Sequence, residues 1–232
     1  MRIASLVLCI LSAQVLQVEV NAHAIKKIRV MIVDTGIHEH AKIKPYLSTK
    51  NEKTELVDTH GHGTHVAGLV LYGPNLNDPV CPEVEVYSCK FFGPESHHTY
   101  ECFQKANELN VEFINFSGGG YEYMRQEFIE LKKSKALVIT AAGNDNTDIR
   151  KKPYFPASLN LKNIVAVGNG ISEAQRVVSS NYGPKKLVWR PGLNIKSFSS
   201  NGFAHLTGTS QATAIYTHEL LKKRCQDFRS AR

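Results

Sequence analysis

The strongest constraint on the fold is the alternation of short, uniformly apolar runs with segments of helical periodicity. The run Lys27–Val33 (KIRVMIV) is rich in β-branched residues. Strands that are apolar on both faces are typical of a parallel sheet covered by helices on both sides. Further strands are predicted at Val84–Phe92, Val111–Phe116, Ala136–Thr140 and Ile164–Val167, and helices at His62–Leu71, Thr99–Leu109, Tyr123–Lys133 and Ser210–Cys225. The pattern predicts an α/β fold, a three-layer sandwich with a mainly parallel central sheet and helices on both faces.

The first two dozen residues differ from the rest of the chain. Arg2 precedes a mostly apolar stretch, Ile3–Leu16, and an A-x-A sequence ends at Ala24. These features are typical of a secretory signal peptide, and the apolar run is too short to span a bilayer comfortably. We therefore expect residues 1–24 to be a signal peptide, cleaved after Ala24 or two residues before it. Residues 25–232 should then form one domain, secreted or periplasmic, with no stable membrane anchor.

The charge balance is basic, with 28 Lys and Arg against 21 Asp and Glu. The basic residues are scattered, and neither an aromatic-plus-basic ladder nor a paired His/Cys finger occurs, so no nucleic-acid partner is expected. The excess charge is sufficiently explained by solubility. A chain of 232 residues can bury a sizeable core without oligomerising, so we expect a monomer.

Four cysteines remain once the predicted signal peptide is removed. An even number of cysteines in an exported chain favours two disulfides, and their spacing fits no zinc site. Three connectivities are possible and the sequence does not rank them. Cys225 is expected to link the last helix to the body of the domain. The four are Cys81, Cys89, Cys102 and Cys225.

The tripeptide Asp34-Thr35-Gly36 follows the first predicted strand. The same tripeptide forms the loop of aspartic proteases, which need two such loops so that two carboxylates share one proton. Only one copy is present, so that chemistry would require a homodimer. The simpler interpretation is a turn in which Asp34 caps the backbone. By itself the tripeptide does not decide between them.

A cluster of histidines lies in the sequence HGHGTH, at His60, His62 and His65. Three histidines could bind a metal, but the H-E-x-x-H arrangement of a zinc enzyme is missing. The alternative is that one imidazole is a general base oriented by a carboxylate upstream. The two intervening glycines would let the backbone pass close to a bound substrate.

Ser210 stands at the start of the last predicted helix, in the sequence GTSQATA. A serine at this position is usually a helix cap. The unpaired N–H groups of a helix N-terminus also suit an oxyanion, so Ser210 is equally a candidate nucleophile. Asn144 ends the sequence AAGN after another strand, where its carboxamide could complete an oxyanion hole.

In order, these motifs read DTG, HGTHVAG, AAGN and GTSQATA, and the series closely resembles the subtilisin-like serine proteases, the subtilase family. The resemblance runs from about Arg29 to Thr217. It implies a subtilisin-like fold and a secreted serine endopeptidase that hydrolyses proteins or peptides through an acyl-enzyme. Shorter matches lie at residues 114–119, 155–157, 165–168, 180–183 and 191–195.

The resemblance also implies the role of each catalytic residue. Ser210 would be the nucleophile, His62 the general base, and Asp34 the carboxylate that orients His62. The side-chain N–H of Asn144 would bind the oxyanion together with the backbone N–H of Ser210. His65 matches a position that is not catalytic. No cofactor and no catalytic metal are required.

Two segments would form the walls of the pocket for the residue before the scissile bond. An extended peptide would pair with their backbones as an added strand. Because the walls consist of small residues, the pocket should be open enough for a bulky apolar side chain. The segments are Ser117, Gly118, Gly119 and Thr140, Ala141, Ala142.

Some features depart from the family pattern. The domain begins almost directly after the predicted signal, without the usual pro-domain. Gln211 and Ala214 replace the Met and Pro expected after the nucleophile. Gly73–Asp78 offers oxygen ligands for a structural calcium ion, which many relatives bind in this region, or a nearby disulfide would stabilise the loop instead. These departures support one alternative function, a catalytically silent, subtilase-like binding module.

Overall fold

A parallel six-stranded sheet forms the centre of the computed structural model, which describes residues 27–184 and 186–230. The strand order is β2-β1-β3-β4-β5-β6, and every neighbouring pair is parallel. The mainly parallel sheet predicted from the sequence is confirmed. The strands are β1 (Ile28–Asp34), β2 (Val84–Lys90), β3 (Phe113–Phe116), β4 (Leu137–Ala141), β5 (Ile164–Asn169) and β6 (Val188–Arg190).

The first strand, β1, is apolar on both of its faces, and both faces are buried. Ile28, Val30 and Ile32 point into one core, while Met31 and Val33 point into the other. This division follows from the two-residue period of a strand. All five side chains are fully buried.

Four helices cover the sheet, two on each face. Val66 of α1 and Leu221 of α4 belong to the first core. Phe103 of α2 and Leu131 of α3 belong to the second. The result is the predicted three-layer sandwich. The helices are α1 (His62–Tyr72), α2 (Thr99–Glu108), α3 (Arg125–Lys133) and α4 (Thr209–Ser230).

An antiparallel hairpin of β7 (Ile195–Ser199) and β8 (Gly202–Leu206) lies outside the main sheet. It packs on α1 at Gly68, where a Cβ atom would come within 2.3 Å of Ser197 Oγ and 2.8 Å of Phe198 Cδ2. Only glycine therefore allows this approach. The hairpin, β6 and two 3-10 turns were not predicted from the sequence; the turns are Lys44–Tyr46 and Lys53–Leu56.

Two disulfides decide between the three possible connectivities. Cys81–Cys225 joins α4 to the segment before β2, so the expected link between the last helix and the body of the domain is present. Cys89–Cys102 joins β2 to α2.

The predicted signal peptide, residues 1–24, lies outside the described residues. Within the part of the chain that the structure describes, no helix is both long and apolar enough to cross a membrane.

Candidate active site

The polar residues singled out by the sequence gather at the carboxyl edge of the sheet, where ligands bind in parallel α/β folds. Asp34 is the last residue of β1, and Ser117 directly follows β3. Asn144 comes three residues after β4. His62 is the first residue of α1, and Ser210 is the second of α4.

Asp34 and His62 form a close pair. His62 Nδ1 lies 2.6 Å from Asp34 Oδ1, and the Asp34 side chain is 2% exposed. Asp34 Oδ1 also accepts a hydrogen bond from the Thr35 backbone N–H, while its Oδ2 is buried with no hydrogen-bond partner. The proton on His62 Nδ1 is therefore held by a carboxylate that accepts few other hydrogen bonds.

The pKa of His62 lies above its ordinary value. Burial acts to lower this pKa, but the charge and hydrogen bond of Asp34, together with the charge of Asp58, outweigh it. The imidazolium form of His62 is therefore stabilised by its surroundings. A general base needs this, because it carries a proton during the reaction.

Asp58 fixes the start of α1, and the sequence analysis did not identify it. Its Oδ2 accepts hydrogen bonds from the backbone N–H and the hydroxyl of Thr64, and its Oδ1 accepts the Thr35 hydroxyl. Thr35 Oγ1 in turn accepts the backbone N–H of Gly63. An acidic residue shortly before a helix is a capping signal, and this signal could have identified Asp58.

Ser210 is 8% exposed at the N-terminus of α4. Its hydroxyl donates a hydrogen bond of 2.8 Å to the backbone carbonyl of Ser117. The Ser117 hydroxyl donates back to the Ser210 carbonyl at 3.2 Å and accepts from Asn115 Nδ2. The end of β3 and the start of α4 are thus joined at the candidate nucleophile.

The side chain of Asn144 is oriented by a hydrogen bond to its amide oxygen. Asn144 Oδ1 accepts the backbone N–H of Thr209 at 2.9 Å, and the preceding Gly143 N–H donates to the Thr209 hydroxyl. The amide plane of Asn144 is therefore fixed against the N-terminus of α4, beside Ser210. An N-terminal turn of a helix leaves backbone N–H groups unpaired, so both kinds of donor occur at one place.

Asn181 holds the loop that carries Asn144. It is fully buried; its Nδ2 donates to the Ala142 carbonyl, and its Oδ1 accepts the N–H groups of Asp145 and Thr147. At Gly143, with φ +99°, a Cβ atom would lie 2.2 Å from Asn181 Nδ2. Both the conformation and the close approach therefore require glycine at this position.

The expected walls of the peptide pocket lie on neighbouring strands, since Phe116 of β3 pairs with Thr140 of β4. They do not enclose an open pocket. The ring of Tyr154 lies between them: a Cβ atom on Gly119 would be 2.4 Å from Tyr154 Cε1, and one on Gly143 would be 3.1 Å from Tyr154 Cε2. Burial raises the pKa of Tyr154 to about 12. The expected space for a bulky side chain is therefore filled by Tyr154, which the sequence analysis did not consider.

In the candidate calcium loop, Asp78 is paired with a cationic side chain of the chain. Asp78 Oδ1 lies 2.5 Å from the ammonium of Lys222, which also donates to the Pro79 carbonyl. Asp78 Oδ2 faces His218 Nε2 at 3.4 Å. A cation of the chain itself therefore occupies the carboxylate of this loop, and the Cys81–Cys225 disulfide lies directly behind it.

The histidine cluster does not converge on a common point. His62 binds Asp34, whereas His65 is fully buried and its Nε2 contacts the Ile195 carbonyl at 3.0 Å. Burial lowers the pKa of His65 to about 4. The ring of His60 makes an edge contact with Phe92. This arrangement does not support a metal site at these histidines.

Another group of potential metal ligands occurs elsewhere among the described residues. Glu52, Glu55 and His97 have ligand atoms within 4.8 Å of one another. The ammonium of Lys105 donates to Glu52 at 3.0 Å and to Glu55 at 2.8 Å. One cation of the chain therefore already contacts both carboxylates.

The parallel sheet, the carboxylate–imidazole pair and the serine at a helix N-terminus define a class of α/β hydrolytic enzymes. The sequence model of the subtilase family matches residues 26–221. The chain therefore belongs to the subtilase family, whose members are serine-type peptidases.

Individual relatives agree with this assignment. The chain is 29% identical over 211 residues to subtilisin DY of Bacillus licheniformis, covering 85% of this chain and 76% of that protein. It is 31% identical over 201 residues to alkaline elastase YaB of Bacillus sp. (strain YaB), covering 80% of this chain and 51% of that protein. The chain thus spans about three quarters of one relative and about half of the other.

Solved structures share the fold. The protease domain of PatA superposes with a TM-score of 0.72 at 22% identity, covering 90% of this chain and 84% of that one. The prenylagaramide maturation protease PagA superposes with a TM-score of 0.70 at 26% identity, covering 88% of this chain and 78% of that one.

Proposed function

We propose that the chain is a secreted serine endopeptidase in which Ser210 attacks the peptide carbonyl, His62 is the general base and Asp34 holds His62. The observation that carries the proposal is the 2.6 Å contact between His62 Nδ1 and Asp34 Oδ1, in a site where Ser210 stands at the N-terminus of α4. An imidazole held through Nδ1 presents its Nε2 to a hydroxyl.

In the first step, Ser210 Oγ bonds to the carbonyl carbon of the substrate while its proton moves to His62 Nε2. Asp34 stabilises the imidazolium that forms. Collapse of the tetrahedral intermediate breaks the peptide C–N bond, and His62 returns the proton to the leaving amine. Water then hydrolyses the acyl-enzyme by the same transfers. The Ser210 hydroxyl must first leave the Ser117 carbonyl, which it contacts at rest.

The oxyanion would be bound by Asn144 Nδ2 and by the backbone N–H of Ser210. The hydrogen bond from Thr209 N–H to Asn144 Oδ1 supports this role, because it holds the amide in one orientation before substrate arrives. In enzymes of this family, loss of one such donor costs about 3 kcal/mol of transition-state stabilisation.

The residue before the scissile bond is proposed to be small. The ring of Tyr154 lies between Gly119 and Gly143, where a larger side chain would otherwise enter. Glycine, alanine or serine would fit beside the ring without displacing it. Ser117–Gly119 and Thr140–Ala142 then bind the peptide mainly through their backbone groups.

Secretion is supported by the two disulfides, which persist in oxidising compartments. One relative, 27% identical over 215 residues, is named minor extracellular protease Epr of Bacillus subtilis (strain 168). The proposed hydrolysis needs no cofactor, since the reacting groups all come from the chain and from water. We propose that the domain acts as a monomer without a membrane anchor and that residues 1–24 are its signal peptide.

A fluorophosphonate probe tests the nucleophile directly, because it labels only an activated serine. The purified mature protein should be labelled, and Ser210→Ala should abolish labelling. Ser117→Ala serves as the matched control, since it removes a neighbouring hydroxyl without removing the nucleophile. Folding of each variant is checked by circular dichroism. A well-folded protein that is not labelled would contradict the proposal and would favour the catalytically silent binding module.

A further inference from the structure

A pocket of about 400 Å³ is lined by Gly119 and Gly120, at the end of the proposed peptide-binding segment Ser117–Gly119. Aromatic rings and one thioether form much of its lining. Its polar groups come from the segment before α2 (Ser96, His97 and His98), from Thr99 at the start of α2, and from Glu122 and Glu127 before and within α3. The apolar lining residues are Phe91, Phe116, Met124 and Phe155.

Glu127 lines this pocket from α3, although a carboxylate is rarely found at a buried position without a partner cation. Its side chain is only 7% exposed, and it accepts a hydrogen bond from the hydroxyl of Thr99. Among the described residues, every ion pair involves a carboxylate other than Glu127, so no Lys, Arg or His nitrogen lies within 4.0 Å of the Glu127 carboxylate.

Another buried glutamate of the chain shows what is missing at Glu127. Glu55 is 1% exposed, and its carboxylate is paired with Lys105 at 2.8 Å. Burying a carboxylate without such a cation is unfavourable, because the charge loses its hydration and gains no ion pair. Burial raises the pKa of both carboxyls; Lys105 opposes this at Glu55, whereas at Glu127 the opposing group is the uncharged Thr99 hydroxyl. A cation that enters the pocket would remove the penalty.

We propose that this pocket binds a lysine or arginine side chain of the peptide substrate, with Glu127 as its counter-ion. The inference rests on the proposed function and names its substrate class. The methylene groups of the basic side chain would pack between the aromatic rings while its charged end reaches the carboxylate. A cation near aromatic faces gains further stabilisation, which an uncharged polar side chain does not.

The position of this side chain in the substrate follows from the backbone. Ser117 contacts the candidate nucleophile, so the residue before the scissile bond lies near Ser117. A peptide paired antiparallel to this segment would reach Gly119 two residues earlier, at about 3.3 Å per residue. The pocket begins at Gly119 and Gly120. The basic side chain therefore belongs to the third or fourth residue before the scissile bond.

Binding is measured first with the Ser210→Ala protein, so that the result does not depend on catalysis. Two fluorescent peptides have alanine directly before the scissile bond. They differ at one position only, the third or fourth residue before that bond, which is lysine in one peptide and norleucine in the other. The lysine peptide should bind about tenfold more tightly or better, the range of a hydrogen bond to a charged group. Equal Kd values, or tighter binding of the norleucine peptide, would overturn the inference.

The role of Glu127 is tested by adding Glu127→Gln, which keeps an acceptor for the Thr99 hydroxyl and removes the charge. The preference for lysine should fall to about one. Glu130→Gln is the matched control, because Glu130 lies on the same helix but pairs with Lys133 and does not line the pocket. The control should keep the preference. Equal loss in both variants would overturn the inference.

Turnover by the protein with Ser210 intact separates this inference from the proposed function. If the probe labels Ser210 and peptides are cleaved without preference for a basic residue, the inference fails and the peptidase stands. If Ser210→Ala protein prefers the lysine peptide but the unmutated protein is never labelled, the pocket stands and the peptidase fails.

Discussion

Replacing Tyr154 with glycine should convert a site for small residues into one for large apolar residues. The Tyr154 ring lies 2.4 Å and 3.1 Å from the positions that Cβ atoms on Gly119 and Gly143 would occupy, so it fills the space between the two walls. Glycine removes the whole ring and leaves the wall residues unchanged. Tyr154→Phe is the matched control, because it keeps the ring and loses only the hydroxyl.

The expected magnitude follows from the size of the side chain that the vacated space would bury. Fully burying a leucine or phenylalanine side chain is worth about 1.5–3 kcal/mol. Each 1.4 kcal/mol corresponds to about tenfold. The kcat/KM for a peptide with phenylalanine before the scissile bond should therefore rise about 10- to 150-fold, while the value for the alanine peptide changes little.

The assay compares quenched fluorescent peptides with alanine, leucine or phenylalanine at that position, using the unmutated protein, Tyr154→Gly and Tyr154→Phe. Labelling by the fluorophosphonate probe normalises for active protein. The unmutated protein and Tyr154→Phe should both prefer alanine. A preference of the unmutated protein for phenylalanine, or an unchanged profile in Tyr154→Gly, would refute the reasoning.

Other perturbations test the remaining parts of the structure. The pKa of His62 is raised above 6.5, and only neutral imidazole accepts a proton, so kcat/KM should rise with pH with a midpoint above 6.5. Asp58→Asn removes a charge that raises this pKa and should therefore move the midpoint to lower pH. An unmoved midpoint would argue against this charge effect. Gln211 Nε2 is buried without a partner, so Gln211→Met should raise the free energy of unfolding by about 1–3 kcal/mol in urea titration; a decrease would contradict this. Replacing Cys81 and Cys225 by serine opens a loop with a sequence separation of 144 and should cost about 5 kcal/mol, against about 3 kcal/mol for the other disulfide, with a separation of 13. Equal losses would contradict the loop-entropy argument.

The strands and helices of the main sheet were predictable because their sequences carry strong periodic patterns. β1 is apolar on both faces, and the helix beginning at His62 follows a glycine. The hairpin β7–β8 was missed because it is short and only partly buried, so its alternation of polar and apolar residues is weak. β6 has only three residues, too few to show a period.

The candidate catalytic residues could be identified because they lie in contiguous motifs. The residues that position them do not lie in such motifs. Asn181 acts through hydrogen bonds to backbone groups that are distant in sequence. Tyr154 lies between Gly119 and Gly143 only because the chain folds back between them. Such contacts depend on tertiary structure and leave no local pattern. The motifs therefore predicted candidate catalytic residues, whereas they did not predict that the ring of Tyr154 lies between the two expected walls.

The Cys81–Cys225 disulfide has a consequence for how the protein would respond to cleavage by another protease or by a second copy of itself. A single cut anywhere between residues 82 and 224 leaves one fragment with Cys81 and the other with Cys225, so the two remain covalently joined. Asp34 and His62 would stay attached to Ser210 through that bond. Damage between these two cysteines would then be invisible on a non-reducing gel and would appear only after reduction. The disulfide thus keeps the two parts of the candidate site covalently joined after such a cut.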